Sequence, residues 1–312
     1  MQRMTDSPAS ASPYEVLGVS PSATADELRK AYRRRLRETH PDTGGDAVEF
    51  TAVQRAWERV GEAAARAAYD RGESSDTEST AEGAGWSAPT HRTRADNSRP
   101  RARSYGHPGG AAREAYLRLI REWAGRGAEP EDPYDPALVR RAPVEIRRAL
   151  AEAIAEEATA RQVSALGMAF TVWHDVAVPG ERKIDHVVLG PTGLYAICSE
   201  DFGVPVRVAR GEVVPVGVPA VEQPVRSLVR ASRELGRSAR VKVTGVVVVV
   251  PDEAFEDGAA ELDRMRKPAA FVVTRSRLPH LLRTGPSGVD PIGGNELFDV
   301  RTRLQAAVRH VV

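Results

Sequence analysis

Apolar and polar positions alternate with two different periods along this chain. From Pro13 to Gly72 the period is helical. Pro13-Tyr14-Glu15-Val16-Leu17 predicts a short helix stopped by Gly18. Thr24 with Glu27 has the spacing of a capping box, and Leu28, Ala31, Tyr32 and Leu36 then fall on one face. Pro41 ends this helix, since its ring disfavours the helical conformation at His40. After Gly44-Gly45, Asp46 and Glu49 repeat the cap, and Phe50, Val53, Trp57 and Val60 form a second apolar stripe ending at Gly61. A last short segment carries Arg66 and Tyr69-Asp70. The pattern predicts an antiparallel helix pair with flanking short helices and a tight polar loop around His40-Pro41-Asp42.

Periodicity vanishes between 73 and 110. Ser, Thr, Glu, Gly, Pro and Arg dominate, which predicts a disordered linker, acidic first and basic later. Residues 111–312 form the second module. Helices are expected over 111–123 and 136–163, the latter interrupted near Pro143. The period then changes to that of strands at 169–178, 183–189 and 193–198, with a hairpin at 204–208 and 212–216. A helix from Ala220 to about Gly236, strands at 241–250 and 270–274, and a closing helix over 295–310 complete an α/β layout. The chain is thus read as multidomain, with an all-α module, a linker and an α/β domain.

Composition adds few constraints. Lys plus Arg number 44 against 43 acidic residues, so bulk charge selects no polyanionic partner and local charge decides. That local charge is segregated: Arg29, Lys30, Arg33, Arg34 and Arg37 line the face of the first long helix opposite its apolar stripe. Cys198 is the sole cysteine, so no intrachain disulfide forms, which fits a reducing, cytoplasmic setting. The N-terminus lacks the apolar stretch of a secretory signal. The most apolar run, Val246 to Val250, is too short to span a bilayer, and no membrane partner is expected.

The first module resembles a J-domain, the co-chaperone module of the DnaJ family. The matching stretches are Tyr14-Glu15-Val16-Leu17-Gly18-Val19, Leu28-Arg29-Lys30-Ala31-Tyr32-Arg33, His40-Pro41-Asp42, Phe50, Ala56-Trp57, and Arg66 with Tyr69-Asp70. The resemblance implies that His40, Pro41 and Asp42 contact a DnaK-type chaperone and trigger its ATP hydrolysis. It also implies that Lys30, Arg33, Arg34 and Arg37 steer and hold the acidic partner surface. The short connection Gly61-Glu62-Ala63-Ala64-Ala65 departs from the family's usual loop.

The second module resembles the NERD domain, a nuclease-related domain with a restriction-endonuclease-like core. The resemblance rests on Ile184-Asp185-His186-Val187-Val188-Leu189-Gly190-Pro191-Thr192-Gly193-Leu194-Tyr195-Ala196-Ile197. Active relatives use a strand aspartate and a Glu-x-Lys pair on the next strand, with a divalent metal that polarises the phosphate and activates water. Asp185 fits the aspartate, but Cys198-Ser199-Glu200 stands where Glu-x-Lys is expected. A helix glutamate is expected near Glu156 and Glu157, with the register pointing to Ala160. Lys183, Asp185, Cys198 and Glu200 are therefore a candidate remnant nuclease site. The leading expectation is a non-enzymatic co-chaperone without cofactor, whose second domain binds a client, a partner protein or nucleic acid. The alternative is a Mg²⁺- or Mn²⁺-dependent nuclease with a regulatory J-domain. His186 and Cys198 are expected as core residues, the latter a small buried apolar group.

Overall fold

The structure, a computed structural model, describes residues 7–72, 100–125, 130–217, 223–263, 268–286 and 291–311. The described residues divide into two compact units: one takes those within 7–72 and 116–148, the other those within 100–115 and 149–311.

The first unit contains helices α1 (Pro13–Leu17), α2 (Ala25–Glu38), α3 (Ala47–Val60) and α4 (Ala63–Asp70), with a 3-10 turn over Pro41–Thr43. The caps read from the sequence are present. Ser12 with Glu15 and Thr24 with Glu27 form reciprocal capping boxes, and the Asp46 carboxylate accepts from the N–H groups of Val48 and Glu49. Tyr14, Leu17, Leu28, Val53, Ala56 and Val60 form the core, with Tyr32 stacked on Trp57 at 4.5 Å. The segment expected as a loop over Gly61–Ala65 is mostly helical, since α4 begins at Ala63. Arg66 anchors α4: its Nε donates to the Tyr14 hydroxyl (3.1 Å) and a terminal nitrogen to the Pro21 carbonyl (2.8 Å), while Tyr14 donates to Asp70 (2.8 Å). Burial, reinforced by the Asp70 carboxylate, pushes the Tyr14 hydroxyl up to about 12.

The expected domain boundary at 110/111 needs correction, because residues 116–148 belong to this first unit. Helix α5 covers Gly110–Gly125, α6 covers Pro136–Arg141 and α7 covers Val144–Ser164, so the interruption near Pro143 is present. Side chains from these helices hold the N-terminal segment. The buried Arg147 guanidinium donates to the carbonyls of Pro8, Ser10 and Ala142 and pairs with both Glu15 oxygens at 2.6 and 2.7 Å. Arg140 donates to the Tyr69 carbonyl and lies over its ring. Patterning could not reveal this, since the link joins residues 132 apart in sequence.

The second unit is a seven-stranded mixed sheet with helices on both faces. Its strands are β1 (Arg103–Tyr105), β2 (Thr171–Val176), β3 (Ile184–Gly190), β4 (Gly193–Ser199), β7 (Gly245–Val250), β8 (Ala259–Asp263) and β9 (Ala269–Thr274), in the order β1-β2-β3-β4-β7-β9-β8. β2, β3 and β4 form an antiparallel meander, and β4, β7 and β9 run parallel. The expected hairpin forms a separate two-stranded sheet, β5 (Val206–Ala209) with β6 (Glu212–Pro215). Strict alternation divides the core. Val246, Val248 and Val250 pack with α8 (Pro224–Ala239) and α10 (Gly294–Ala307), while Val247 and Val249 pack with Val163 of α7 and with α9 (Leu278–Thr284).

The linker expectation is corrected at its C-terminal end. Residues 73–99 lie outside the described residues, but Arg103–Tyr105 pairs in parallel with β2, and Tyr105 stacks on Trp173. Main-chain pairing holds this strand, and such pairing leaves no apolar period in so short a segment. β8 and α9 were likewise not read from the sequence, while the expected strand over 241–250 is paired only from Gly245. The predicted start of a helix at Ala220 lies outside the described residues, and α8 begins at Pro224.

Candidate functional site

Two groups of side chains were singled out from the sequence, and each is taken within its own unit. The first is the loop between α2 and α3. Thr39 closes α2: it is buried, and its hydroxyl donates to the Arg35 carbonyl at 2.8 Å. Pro41 then fixes the start of the 3-10 turn. Gly44 takes φ of 84°, and its N–H reaches the Pro41 carbonyl at 3.0 Å. Gly45 lies so close to the Thr39 backbone that a Cβ there would stand 2.2 Å from its carbonyl carbon, and its N–H closes the loop onto the His40 carbonyl. The loop is therefore pinned from both sides.

Within it His40 Nδ1 accepts the Asp42 N–H at 3.2 Å, and the imidazole stands edge-on to Phe50, 5.1 Å between centroids. An Nδ1 that accepts in the neutral ring leaves the proton on Nε2. The Asp42 carboxylate is almost wholly exposed, at 89%. Lys30, Arg33, Arg34 and Arg37 are exposed along α2, with Arg34 near Glu38 at 3.8 Å and Arg37 Nε donating to the Arg33 carbonyl. Arg35 differs from its neighbours: it is half-buried, donates to the Val16 carbonyl and pairs with Glu38 and Glu49. It braces the helix pair, a role that the run of basic residues concealed.

Residues 12–70 match the DnaJ domain. The chain is 49% identical over 61 residues to chaperone protein DnaJ 1 of Cutibacterium acnes and 48% identical over 62 residues to chaperone protein DnaJ of Cereibacter sphaeroides. It is 45% identical over 58 residues to DnaJ protein homolog 2 of Allium porrum. Each similarity covers 19% of this chain and 14–16% of the relative. The N-terminal module is thus a J-domain homologous to those of DnaJ chaperones.

The second group lies in that unit. Asp175 sits on β2 between His174, which pairs with His186, and Val176, which pairs with Ile184. Lys183 joins it to the neighbouring acids: its Nζ lies 2.6 Å from Asp175, 2.7 Å from both Glu156 oxygens and 3.1 Å from Asp185. All three carboxylates are buried. Asp175 adopts φ of 49°, and its second oxygen accepts the Ala111 N–H at 3.2 Å. Asp185 accepts the Ser199 N–H at 2.8 Å. Burial works against the Lys183 ammonium, but Asp185, Glu156 and Asp175 outweigh it and hold its pKa above the ordinary lysine value. Burial, then the charge of Asp185, pushes the Glu156 carboxyl well above the usual carboxylate range.

Of the residues singled out, Asp185 and Lys183 lie 3.1 Å apart. The acid that α7 brings to this point is Glu156, and Ala160 carries no acid. Asp175 was missed altogether; the strand register was the signal, and it is not legible before the pairing is known. Glu200 accepts from Arg182 at 2.9 Å, and Arg182 also pairs with Glu152. Cys198 is buried in the core, and burial raises its thiol well above the usual range, so it carries no ready thiolate. As it stands the cluster does not fit a divalent cation, since Lys183 Nζ occupies the point on which the carboxylates converge. No group of three His, Cys, Asp or Glu side chains among the described residues is arranged to hold a metal.

Beside the cluster runs a chain of polar groups, exposed at Ser104 and buried from His174 inward. Ser104 Oγ lies 2.8 Å from His174 Nε2, the two Nδ1 atoms of His174 and His186 are 2.8 Å apart, and Ser199 joins His186 to Thr159. With Ser199 donating to Thr159, the network assigns the proton of His186 to Nε2 and that of His174 to Nδ1. Burial pushes His174 down to about 4, and burial lowers His186 as well, so both rings are neutral. An unfolded histidine takes up its proton near 6.5, which the folded His174 refuses. The stability that this neutral ring carries is complete above pH 6.5 and falls as pH drops toward 4, by up to about 3 kcal/mol. Urea unfolding of wild type and His174→Gln should show the steeper loss in wild type across this window. Equal slopes would contradict a buried neutral His174.

Proposed function

We propose that this chain is a J-domain co-chaperone that recruits a DnaK-type chaperone and stimulates its ATP hydrolysis. The observation that carries this reading is the pinned His40-Pro41-Asp42 loop, with its outward Asp42 carboxylate and oriented imidazole, on a module homologous to those of DnaJ chaperones. The protein itself supplies no ATP chemistry under this reading. It offers a rigid polar loop and a basic helix face to a partner that carries the nucleotide. A loop fixed before encounter avoids much of the ordering cost of binding.

The second unit, in this proposal, is a restriction-endonuclease-like fold of the NERD kind without nuclease chemistry, and it directs the co-chaperone by binding a client, a partner protein or nucleic acid. Its support is the mixed sheet with Asp185 on β3 and an acid on α7, alongside Cys198 and Glu200 where an active enzyme would carry glutamate and lysine.

The test is ATP turnover by a purified DnaK-type chaperone with and without the full chain. Turnover should rise with added protein, and an inert wild type with several such chaperones would overturn the proposal. The basic face gives a second expected result. Arg33→Glu combined with Arg37→Glu should raise the concentration for half-maximal stimulation by roughly tenfold at low salt, with the difference shrinking as salt screens the charges. Both residues are exposed, so the variant's unfolding curve should match wild type.

A further inference from the structure

We propose that the outer face of α8 is a docking surface for the phosphate backbone of a nucleic acid, held without regard to base sequence. The inference rests on the reading of the second unit as the part that binds a partner, and it names the chemistry of that partner.

Between Pro224 and the C-cap Arg240, the exposed residues are Arg226, Arg230, Arg233, Arg237 and Arg240, together with Ser238. Spacings of 4, 3, 4 and 3 residues keep the arginines in one row, with a cation at each turn. At 1.5 Å per residue the row is about 21 Å long. The sole acid of the helix is Glu234. The row is held at both ends. The buried Glu212 carboxylate of β6 accepts the N–H groups of Val225 and Arg226 at 3.1 and 2.9 Å, and Arg303 of α10 donates to the Arg240 carbonyl at 3.0 Å.

Three of these arginines reach carboxylates. Arg226 lies 3.9 Å from Glu212, Arg230 lies 3.1 Å from Glu181, and Arg237 pairs with Glu234. Their side chains are still 54, 61 and 74% exposed, and ion pairs this open to water are weak. A phosphate therefore displaces little when it takes the guanidinium forks, which fit its oxygens two at a time.

The form of the row selects the partner. A nucleic-acid strand is a linear polyanion with a phosphate every 3.4 Å or so of its axis, so about six phosphates lie alongside a row of this length. A lipid surface would gain charge alone, because Val225, Leu228, Val229 and Leu235 are buried in the core and α8 has no apolar face left to insert. A protein partner takes apolar or aromatic anchors at the centre of its interface, and the exposed face of α8 offers none. Contacts to phosphate carry no sequence information, so base sequence should not matter.

The experiment measures binding of the full-length chain to fluorescently labelled duplex DNA and single-stranded RNA, each in two unrelated sequences, and to vesicles of phosphatidylglycerol and phosphatidylcholine. The two sequences of a bound nucleic acid should bind alike, and log K should fall with log salt at a slope of about −3 or steeper. Arg226→Ser, Arg233→Ser and Arg237→Ser combined should weaken binding by roughly tenfold or more at low salt and make the slope shallower by about 2 to 3. Arg226→Lys, Arg233→Lys and Arg237→Lys combined should keep the slope. Both variants should unfold as wild type does, since these side chains are exposed. Full binding by the serine variant, or binding of wild type to vesicles alone, would overturn the inference. So would a wild type that stimulates a DnaK-type ATPase yet binds neither nucleic acid, a result that leaves the co-chaperone reading standing. Nucleic-acid binding of the expected kind by a chain inert toward the ATPase would support the inference and count against the co-chaperone reading alone.

Discussion

Replacing His40 by glutamine is expected to reduce stimulation of a DnaK-type ATPase by roughly 30-fold or more, an interface hot-spot loss of about 2 kcal/mol or greater. Glutamine keeps a polar side chain of similar length but cannot reproduce what the ring does here. The imidazole accepts the Asp42 N–H through Nδ1 and lies edge-on against Phe50, so its Nε2–H is aimed before any partner arrives. A flexible amide loses both the aromatic contact and the fixed direction. His40 is half-exposed, so the unfolding free energy should change by less than about 1 kcal/mol. Single-turnover ATP hydrolysis against increasing co-chaperone, together with urea unfolding of both proteins, measures the two quantities. Full stimulation by the variant would show that the loop is not the trigger.

Arg147→Met should destabilise the first unit by about 2–3 kcal/mol, the largest stability effect expected of a single polar substitution there. Methionine fills much of the same volume, so the loss is of hydrogen bonds and charge. Arg147 is buried, and its guanidinium satisfies the carbonyls of Pro8, Ser10 and Ala142 together with the Glu15 carboxylate. Removing it strands these acceptors. Glu15 stays partly exposed and regains water, which keeps the cost below that of a fully buried pair. The same Glu15 closes the capping box of α1 by accepting the Ser12 N–H, so the substitution also loosens the entry into the J-domain. Burial raises the Glu15 carboxyl, but the Ser12 hydrogen bonds and Arg147 outweigh it and hold its pKa below the usual value. That contribution is present above the ordinary glutamate range and is lost as pH falls through the lowered value. Chemical denaturation at neutral pH measures the effect, and a change below 0.5 kcal/mol would show that Arg147 does not hold the segment. ATPase stimulation by the folded variant should persist, since the His40 loop lies on other elements.

The J-domain was legible because its determinants are local. Thr24 and Glu27, or Asp46 and Glu49, sit three residues apart, and a cap needs nothing beyond that turn. Pro41 and the glycines after it mark the loop by their own backbone restrictions. The strands of the second unit were legible for a different reason: β4 and β7 are short, continuous apolar runs, buried along their whole length, with Gly and Pro near their ends. β1 was lost inside a stretch of linker-like composition, because three residues are too few to show a period.

The sequence by itself determined the helix pair, its polar loop with His40, Pro41 and Asp42, the basic face of α2 and the α/β character of the second unit. Each follows from side chains within a turn or a strand of one another. Tertiary structure alone decided that residues 116–148 belong with the J-domain, and that Asp175, Asp185 and Glu156 meet around Lys183. Those carboxylates are brought together by the pairing of β2 with β3 and by the docking of α7, Lys183 standing 8 positions from Asp175 and 27 from Glu156 in sequence. Charge carries no periodic mark of its partner, so which acid a buried lysine answers is settled only when the backbone has placed them both.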